Sequence, residues 1–398
     1  MDAAQCDGSR GGIGADVRHR IVGGGVSAAA VILALVAAAP ATGNEIPYFA
    51  RKWDVSCSYC HVAPPKLNAA GEAFVARGYD LPERSARGTW PFAVWVSGRS
   101  EALPGVASVR NYVNRVEVIS GGRVLAPWLA YFLEWRPLSL ETRGDGSLRD
   151  RSGRFEDLFV IAMAGRADAT LGQFRLIGQV DVSRRIGVGE PLLLSSSLAG
   201  TPAASPRQTA LRAFSPAGRS PAARLGYHVP LRDGWRWTTS AAIPLPGELS
   251  LPLTDDARVE ASNEVEWDPK GVVVESFARR GLHSVGAHLF YDRSDRYLAH
   301  ALGTGSVGPL YWTAIAGVAR SGASPAHGRW SLEAEYLPRG PAGGGVRVED
   351  LATDGRDPAV LVYFNAHAPG TRYTVRLTVE QRIQRGRGAT FFEVGTVF

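Results

Sequence analysis

Two cysteines separated by two residues are followed at once by a histidine in Cys57-Ser58-Tyr59-Cys60-His61. Two thiols one short turn apart can each form a thioether with a vinyl group of one porphyrin. The adjacent imidazole then falls under the iron as its proximal ligand. This is the attachment signature of a c-type haem, with Cys57 and Cys60 as covalent anchors and His61 as the iron ligand. A C-x-x-C disulfide or half of a zinc site would use the same two thiols. Zinc needs further soft ligands, however, and the third cysteine, Cys6, lies in a stretch expected to be removed. A dithiol redox motif would want a βαβ context, which is absent. One covalent haem c is the expected cofactor.

The elements that must position these residues lie within 42–88. Tyr48, Phe49, Trp53 and Val55 are apolar positions leading into the motif, and Pro64 and Pro65 follow it. Asn68 is placed to cap a short helix whose Leu67, Ala70, Phe74 and Val75 share one face, and Gly78 to end it. So short a segment rarely buries enough surface to fold alone. It is expected to pack against, or inside, the rest of the chain.

Upstream, the apolar run Ile21 to Ala39 follows Arg18-His19-Arg20 and ends near Ala39-Pro40-Ala41. That is the pattern of a cleaved secretory signal peptide over 1–41, with a retained anchor as the alternative. Export also agrees with covalent haem attachment, which happens outside the cytoplasm.

From Trp90 onward the texture changes to short alternating runs punctuated by Gly, Pro, Asp and Arg. In the clearest, Tyr373, Val375, Leu377, Val379 and Ile383 fall on one face, and Thr374, Arg376, Thr378, Glu380 and Arg382 on the other. The runs 129–135, 225–231, 330–336 and 360–366 repeat this period of two. Dividing 89–398 among about sixteen strands leaves ~19 residues for each strand and its connection, the arithmetic of an outer-membrane barrel. Alternation alone would also suit a soluble sandwich or propeller. Three features favour the membrane: aromatics near strand ends (Trp90, Trp128, Trp135, Trp235, Trp237, Trp330), a final strand ending in Phe398, and connections of alternating length. Residues 184–222 and 338–357, the latter with Gly343-Gly344-Gly345, read as long external loops.

The fold expected is therefore an outer-membrane antiparallel β-barrel of about sixteen strands over 89–398, preceded by a short helical c-type haem segment. Net charge is +6 and the isoelectric point about 9.4, without any Lys/Arg block interleaved with aromatics. Nucleic acid is therefore not an expected partner.

The second axial ligand of the iron is not assigned by the motif. Met163 lies in the apolar run 158–164, where a core or lipid-facing position is the simpler reading. Histidines 228, 283, 288, 300 and 367 are further candidates, and alternation puts His228 and His367 on the face opposite the apolar residues. Glu349, Asp350, Asp354 and Asp357 fall in the expected loop 338–357, where they could draw cations such as Fe²⁺ or simply be solvated. No Ser/His/Asp or paired-carboxylate spacing and no phosphate-binding glycine loop is evident.

The stretch Pro47-Tyr48-Phe49-Ala50-Arg51-Lys52, the motif 57–61, Pro65-Lys66-Leu67-Asn68, Gly71-Glu72-Ala73-Phe74 and Gly78-Tyr79 together resemble a known family. It is similar to the fused cytochrome–porins, monohaem outer-membrane cytochromes associated with extracellular ferrous iron oxidation. The match in motifs covers 46–79; the rest resembles the family in texture and in the order of parts. The resemblance implies a haem held by Cys57 and Cys60, ligated by His61 and lodged within a barrel of about sixteen strands. It also implies single-electron transfer across the outer membrane, from extracellular Fe(II) or another donor to a periplasmic cytochrome or other carrier. That would be a ferrous-iron-oxidising cytochrome, with outer-membrane lipid around it. Two other classes stay open: a porin-like channel plugged by a structural or sensing haem segment, and a soluble periplasmic haem enzyme of peroxidase type.

Overall fold

The computed structural model describes residues 48–88, 90–103, 109–142, 147–178, 219–245, 249, 251, 271–292, 296–320, 325–338, 342–350, 358–367, 374–384 and 387–397. The expected signal peptide, Cys6, most of 184–222, Asp354 and Asp357 lie outside these residues.

The described residues begin with α1 (Tyr48–Trp53), α2 (Cys57–Cys60), the small hairpin β1 (His61–Ala63) and β2 (Lys66–Leu67), and α3 (Ala69–Ala76). Long strands follow: β3 (Ala93–Ala102), β4 (Arg110–Val124), β5 (Ala126–Thr142), a spur β6 (Leu148–Asp150), β7 (Arg154–Ala164) and β8 (Ala167–Arg175). Next come β9 (Arg219–Pro230), β10 (Arg236–Pro244), β11 (Gly271–Arg280), β12 (His283–Asp292), β13 (Tyr297–Val307) and β14 (Leu310–Arg320). The last five are β15 (His327–Tyr336), β16 (Ala342–Asp350), β17 (Ala359–His367), β18 (Thr374–Gln384) and β19 (Arg387–Val397).

Each long strand pairs antiparallel with the next, β5 pairs directly with β7 past the spur, and β19 pairs with β3. The result is a closed sixteen-strand barrel without edges. Closure satisfies every ladder, the condition for a sheet to stand in hydrocarbon.

Polarity is inverted relative to a soluble protein. Leu225, Val285, Leu332 and Val362 point outward and are 69%, 60%, 55% and 48% exposed. On the opposite faces of the same or neighbouring strands Glu275, Glu333, Glu335, Arg347, Glu380 and Glu393 are all buried. An apolar outside around a charged inside is the pattern of a transmembrane barrel. Trp90, Trp128 and Trp237 are exposed as an interfacial aromatic should be. Trp135 is instead half-buried, its Nε1–H donating to the Gly153 carbonyl at 3.1 Å.

The interior is laced with ion pairs. Glu393 receives Arg99 at 2.6 Å and Arg115 at 3.2 Å. Arg136 bridges Glu117 at 2.5 Å and Glu156 at 2.7 Å, and Arg219 meets Glu156 from the other side at 2.6 Å. Across β8 to β14 the lumen also holds an apolar cluster, with Phe174, Ile177, Phe290 and Leu298 buried together.

Two expectations are corrected. Residues 342–350 are not a loop but the strand β16, paired with β15 and β17. Residues 219–222 likewise open β9 rather than closing a long loop.

Candidate functional site

The short connections 165–166, 281–282 and 308–309 lie at one end of the barrel, where β3 starts and β19 finishes. The segment 48–81 is lodged inside the lumen at this end. Three ion pairs tie it to different walls: Asp80 to Arg123 of β4 at 3.0 Å, Glu72 to Arg279 of β11 at 2.9 Å, and Lys66 to Glu335 of β15 at 2.5 Å. A fourth wall is apolar. Tyr79 stacks on Phe132 of β5 with ring centroids 5.1 Å apart, and Phe49 stacks on Tyr79 at 5.5 Å. The segment too short to fold alone uses the barrel as its other half.

Its internal geometry follows from a few residues. Asn68 caps α3, its Oδ1 accepting from the Gly71 N–H at 3.0 Å. The same side chain donates through Nδ2 to the carbonyls of Ser58 and Tyr59 at 3.1 and 3.0 Å. One residue thus fixes the helix start to the back of the Cys-x-x-Cys turn. Gly71 lets the two approach: a Cβ there would lie 2.2 Å from the Cys60 carbonyl oxygen. At the other end Gly78 takes φ +69°, with Tyr79 N–H to Phe74 O and Gly78 N–H to Val75 O, both at 3.0 Å. That is a Schellman cap, and the Phe74–Tyr79 ring contact is its usual hydrophobic seal.

Cys57 and Cys60 stand at the two ends of α2, half-buried, and neither is in a disulfide. Burial, with a smaller contribution from Cys57, pushes the Cys60 thiol up to about 11. The His61 Nδ1 lies 3.1 Å from the Pro65 carbonyl oxygen. A carbonyl can only accept, so Nδ1 carries the proton and Nε2 keeps the lone pair. Burial lowers the His61 pKa below the ordinary histidine value, outweighing the backbone carbonyls that raise it. The lowered pKa favours the neutral imidazole, with its lone pair at Nε2.

This donor set fits a covalent haem. Cys57 and Cys60 would hold it, and His61 would ligate its iron through Nε2, oriented by the carbonyl behind Nδ1 as metal-binding histidines are. Bound there, the group would supply a one-electron couple.

The other candidates are distributed as follows. Met163 faces the lumen, not lipid or a separate core: its Cε would lie 2.7 Å from a Cβ placed on Gly78. His228 also faces inward, held by Asp168 at 2.5 Å and Thr238 at 3.1 Å. His288 and His300 are cross-strand partners, both 2% exposed and 2.9 Å apart between ring nitrogens. His283 is exposed on the outward row. His367 closes β17 on the lumen-facing row of Leu361, Tyr363 and Asn365. His327, not singled out from the sequence, begins β15 at the far end of the barrel. Glu349 is not a loop ligand; it is buried in β16 and paired with Arg347. Among the described residues no cluster of three or more His, Cys, Asp or Glu is placed to hold a metal ion.

No protein-family model and no curated protein matches the chain. Among solved structures it is similar to an anion-selective porin from Comamonas acidovorans, at 12% identity and a TM-score of 0.48, covering 77% of this chain and 97% of that one. OmpF of Salmonella typhi is similar at 11% identity and a TM-score of 0.45, over 77% and 97% of the two chains. The outer membrane channel DcaP of Acinetobacter baumannii gives 11% and 0.45, over 77% and 96%.

Proposed function

We propose that this chain is an outer-membrane electron carrier in which the lumen segment holds one covalent haem and the barrel is its housing. The electrons pass one at a time from an external reductant, Fe²⁺ in the simplest case, to a carrier in the periplasm. The observation that carries this reading is the pairing of a Cys-x-x-Cys-His turn with a lumen that encloses it. Cys57, Cys60 and His61 are braced by Asn68 and Pro65, and the segment is strapped to the wall by Lys66, Glu72 and Asp80. A one-electron centre at the short-turn mouth of the pore faces the carrier on that side, and a donor entering the other mouth would meet it in the lumen without crossing the membrane. Keeping Fe²⁺ oxidation outside also keeps the insoluble ferric product there.

A second reading has its own support. The wall from β3 to β9 carries arginines and carboxylates in alternation, as a channel for charged solutes would. On this reading the segment 48–81 is a plug and the haem is structural or sensory.

Proteoliposomes with an entrapped redox dye separate the two. Electron transfer predicts reduction of the dye by external Fe²⁺ that disappears in Cys57→Ala, with no swelling in small charged solutes. Swelling that persists in Cys57→Ala, without dye reduction in the parent protein, would establish the channel instead.

A further inference from the structure

A haem anchored by Cys57 and Cys60 and ligated by His61 has a second axial face, and the structure narrows what can reach it. The segment occupies the short-turn end of the lumen, so a ligand from the wall must lie on an inward row near that end. His283 is on the outward row of β12. His327 is at the opposite end of β15 from Glu335, the residue Lys66 grips. Eight residues of strand put it roughly 27 Å away. His228 has both ring nitrogens engaged, by Asp168 and Thr238. His288 and His300 bond each other through one nitrogen and each keeps the other without a partner, but they lie four residues along the strands from Ser284 and Thr304, so roughly 13 Å further from the turns. Met163 faces inward but packs on Gly78, beyond the end of α3. Its strand β7 is separated from β17 by β18, β19, β3, β4 and β5, so it approaches the segment from across the lumen.

His367 differs in its place. It ends β17 at the short-turn end, and its row is the one the haem segment touches. Ala63 is buried in one cluster with Leu361 and Tyr363 of that row, with Val62 packed alongside. His61 is the next residue back along the same short strand. The His367 Nδ1 is buried and meets no hydrogen-bond partner among the described residues. A buried imidazole nitrogen without a partner is destabilising, and coordination to a metal would relieve that cost.

We infer that His367 is the second axial ligand of the haem iron, so that the centre is bis-histidine, with one imidazole from the lumen segment and one from the barrel wall. This rests on the haem reading above. Its consequence is structural as well as electronic: ligation is complete only when the segment is docked in a closed barrel. The iron then joins β17 to the segment as a further strap beside the three ion pairs.

The test uses the full-length protein matured in cells that attach c-type haem, purified in detergent. A pyridine haemochrome assay first establishes covalent haem. In the parent protein the ferric electron paramagnetic resonance and near-infrared circular dichroism signals of a low-spin bis-imidazole centre are expected, with no methionine–iron charge-transfer band. His367→Ala should become high-spin, bind carbon monoxide stoichiometrically when reduced, and return to low spin on adding imidazole. His367→Met should stay six-coordinate with a raised potential, as histidine–methionine ligation does. Met163→Leu should leave the spectrum unchanged. Heat-modifiable migration on gels shows that each variant still forms the barrel. A methionine–iron band in the parent protein, or a His367→Ala spectrum identical to it with haem attached, would overturn the ligand assignment alone. Absence of covalent haem from the parent protein would remove the haem reading and the ligand with it.

Discussion

Lys66 of the lumen segment and Glu335 of β15 form an ion pair of 2.5 Å in which the side chains are only 7% and 3% exposed. Tyr363 adds its hydroxyl to the same carboxylate at 3.0 Å, and the Lys66 ammonium lies 4.9 Å from the Tyr311 ring. Removing one partner of a buried pair takes the opposite charge away from the other, at a cost of about 3–5 kcal/mol, whereas replacing both with apolar groups costs much less. Lys66→Met and Glu335→Leu should each make residues 48–81 sensitive to limited proteolysis while the barrel stays intact. The double variant should recover much of the protection. Equal sensitivity in single and double variants would deny the pair its role as a strap.

The turn that presents Cys57, Cys60 and His61 depends on Asn68 and Gly71. Asn68→Ala removes a helix cap, worth about 1 kcal/mol, and both anchors to the turn. Gly71→Ala drives a methyl into the Cys60 carbonyl. Haem per chain, read by in-gel haem stain against total protein, should fall in Asn68→Ala and fall further in Gly71→Ala. An unchanged ratio in Gly71→Ala would show that the turn is not held as described.

The Cys60 thiol, raised to about 11 by burial, gives a pH prediction for protein made without haem attachment. Alkylation proceeds through the thiolate. With Cys57→Ser isolating Cys60, the iodoacetamide rate should keep climbing with pH through 9 and 10 towards about 11. A plateau near the ordinary thiol value of about 8.5 would contradict the burial of this residue.

Glu393 is the acceptor on which Arg99, Arg115 and Asn114 converge, and it is 1% exposed. Glu393→Gln keeps the shape and removes the charge, leaving two arginines facing each other in the lumen. A loss of about 3–5 kcal/mol is expected. The temperature at which the barrel loses its compact migration on gels should drop clearly, while haem content is untouched.

Much of this was legible in the sequence because barrel strands obey a strict period of two. The inward row Arg376, Thr378, Glu380 and the outward row Val375, Leu377, Val379 are found as the alternation requires. The Cys-x-x-Cys-His turn, the Asn68 cap and the Gly78 stop are local signals, and local signals survive folding. What failed was composition used as a guide to loops. Gly343, Gly344 and Gly345 read as a turn, yet they sit in β16, because the Tyr363 ring lies over the Gly345 position on its way to Glu333 and Glu335. A Cβ on Gly345 would come within 2.4 Å of that ring. Cross-strand demands of this kind leave no trace in one strand's own pattern.

The partners of the haem segment were illegible for a related reason. Its apolar face predicted docking, but which walls receive it depends on barrel register. Arg279, Glu335 and Arg123 are unremarkable arginines and carboxylates until closure brings them to one mouth. Met163 was misplaced because 158–164 is apolar on both faces; its inward side chain meets the segment rather than water.

The measurement that tests the central claim most directly is an anaerobic Fe²⁺ titration of the detergent-solubilised, haem-loaded protein, following the reduced α-band. Cys57→Ala serves as the haem-free control. An outer-membrane electron carrier that takes electrons from Fe²⁺ predicts rapid reduction at low Fe²⁺ and no signal in the control. Full reduction by dithionite with none by Fe²⁺ would contradict iron as the donor, and a parent protein without any α-band would contradict the electron carrier itself.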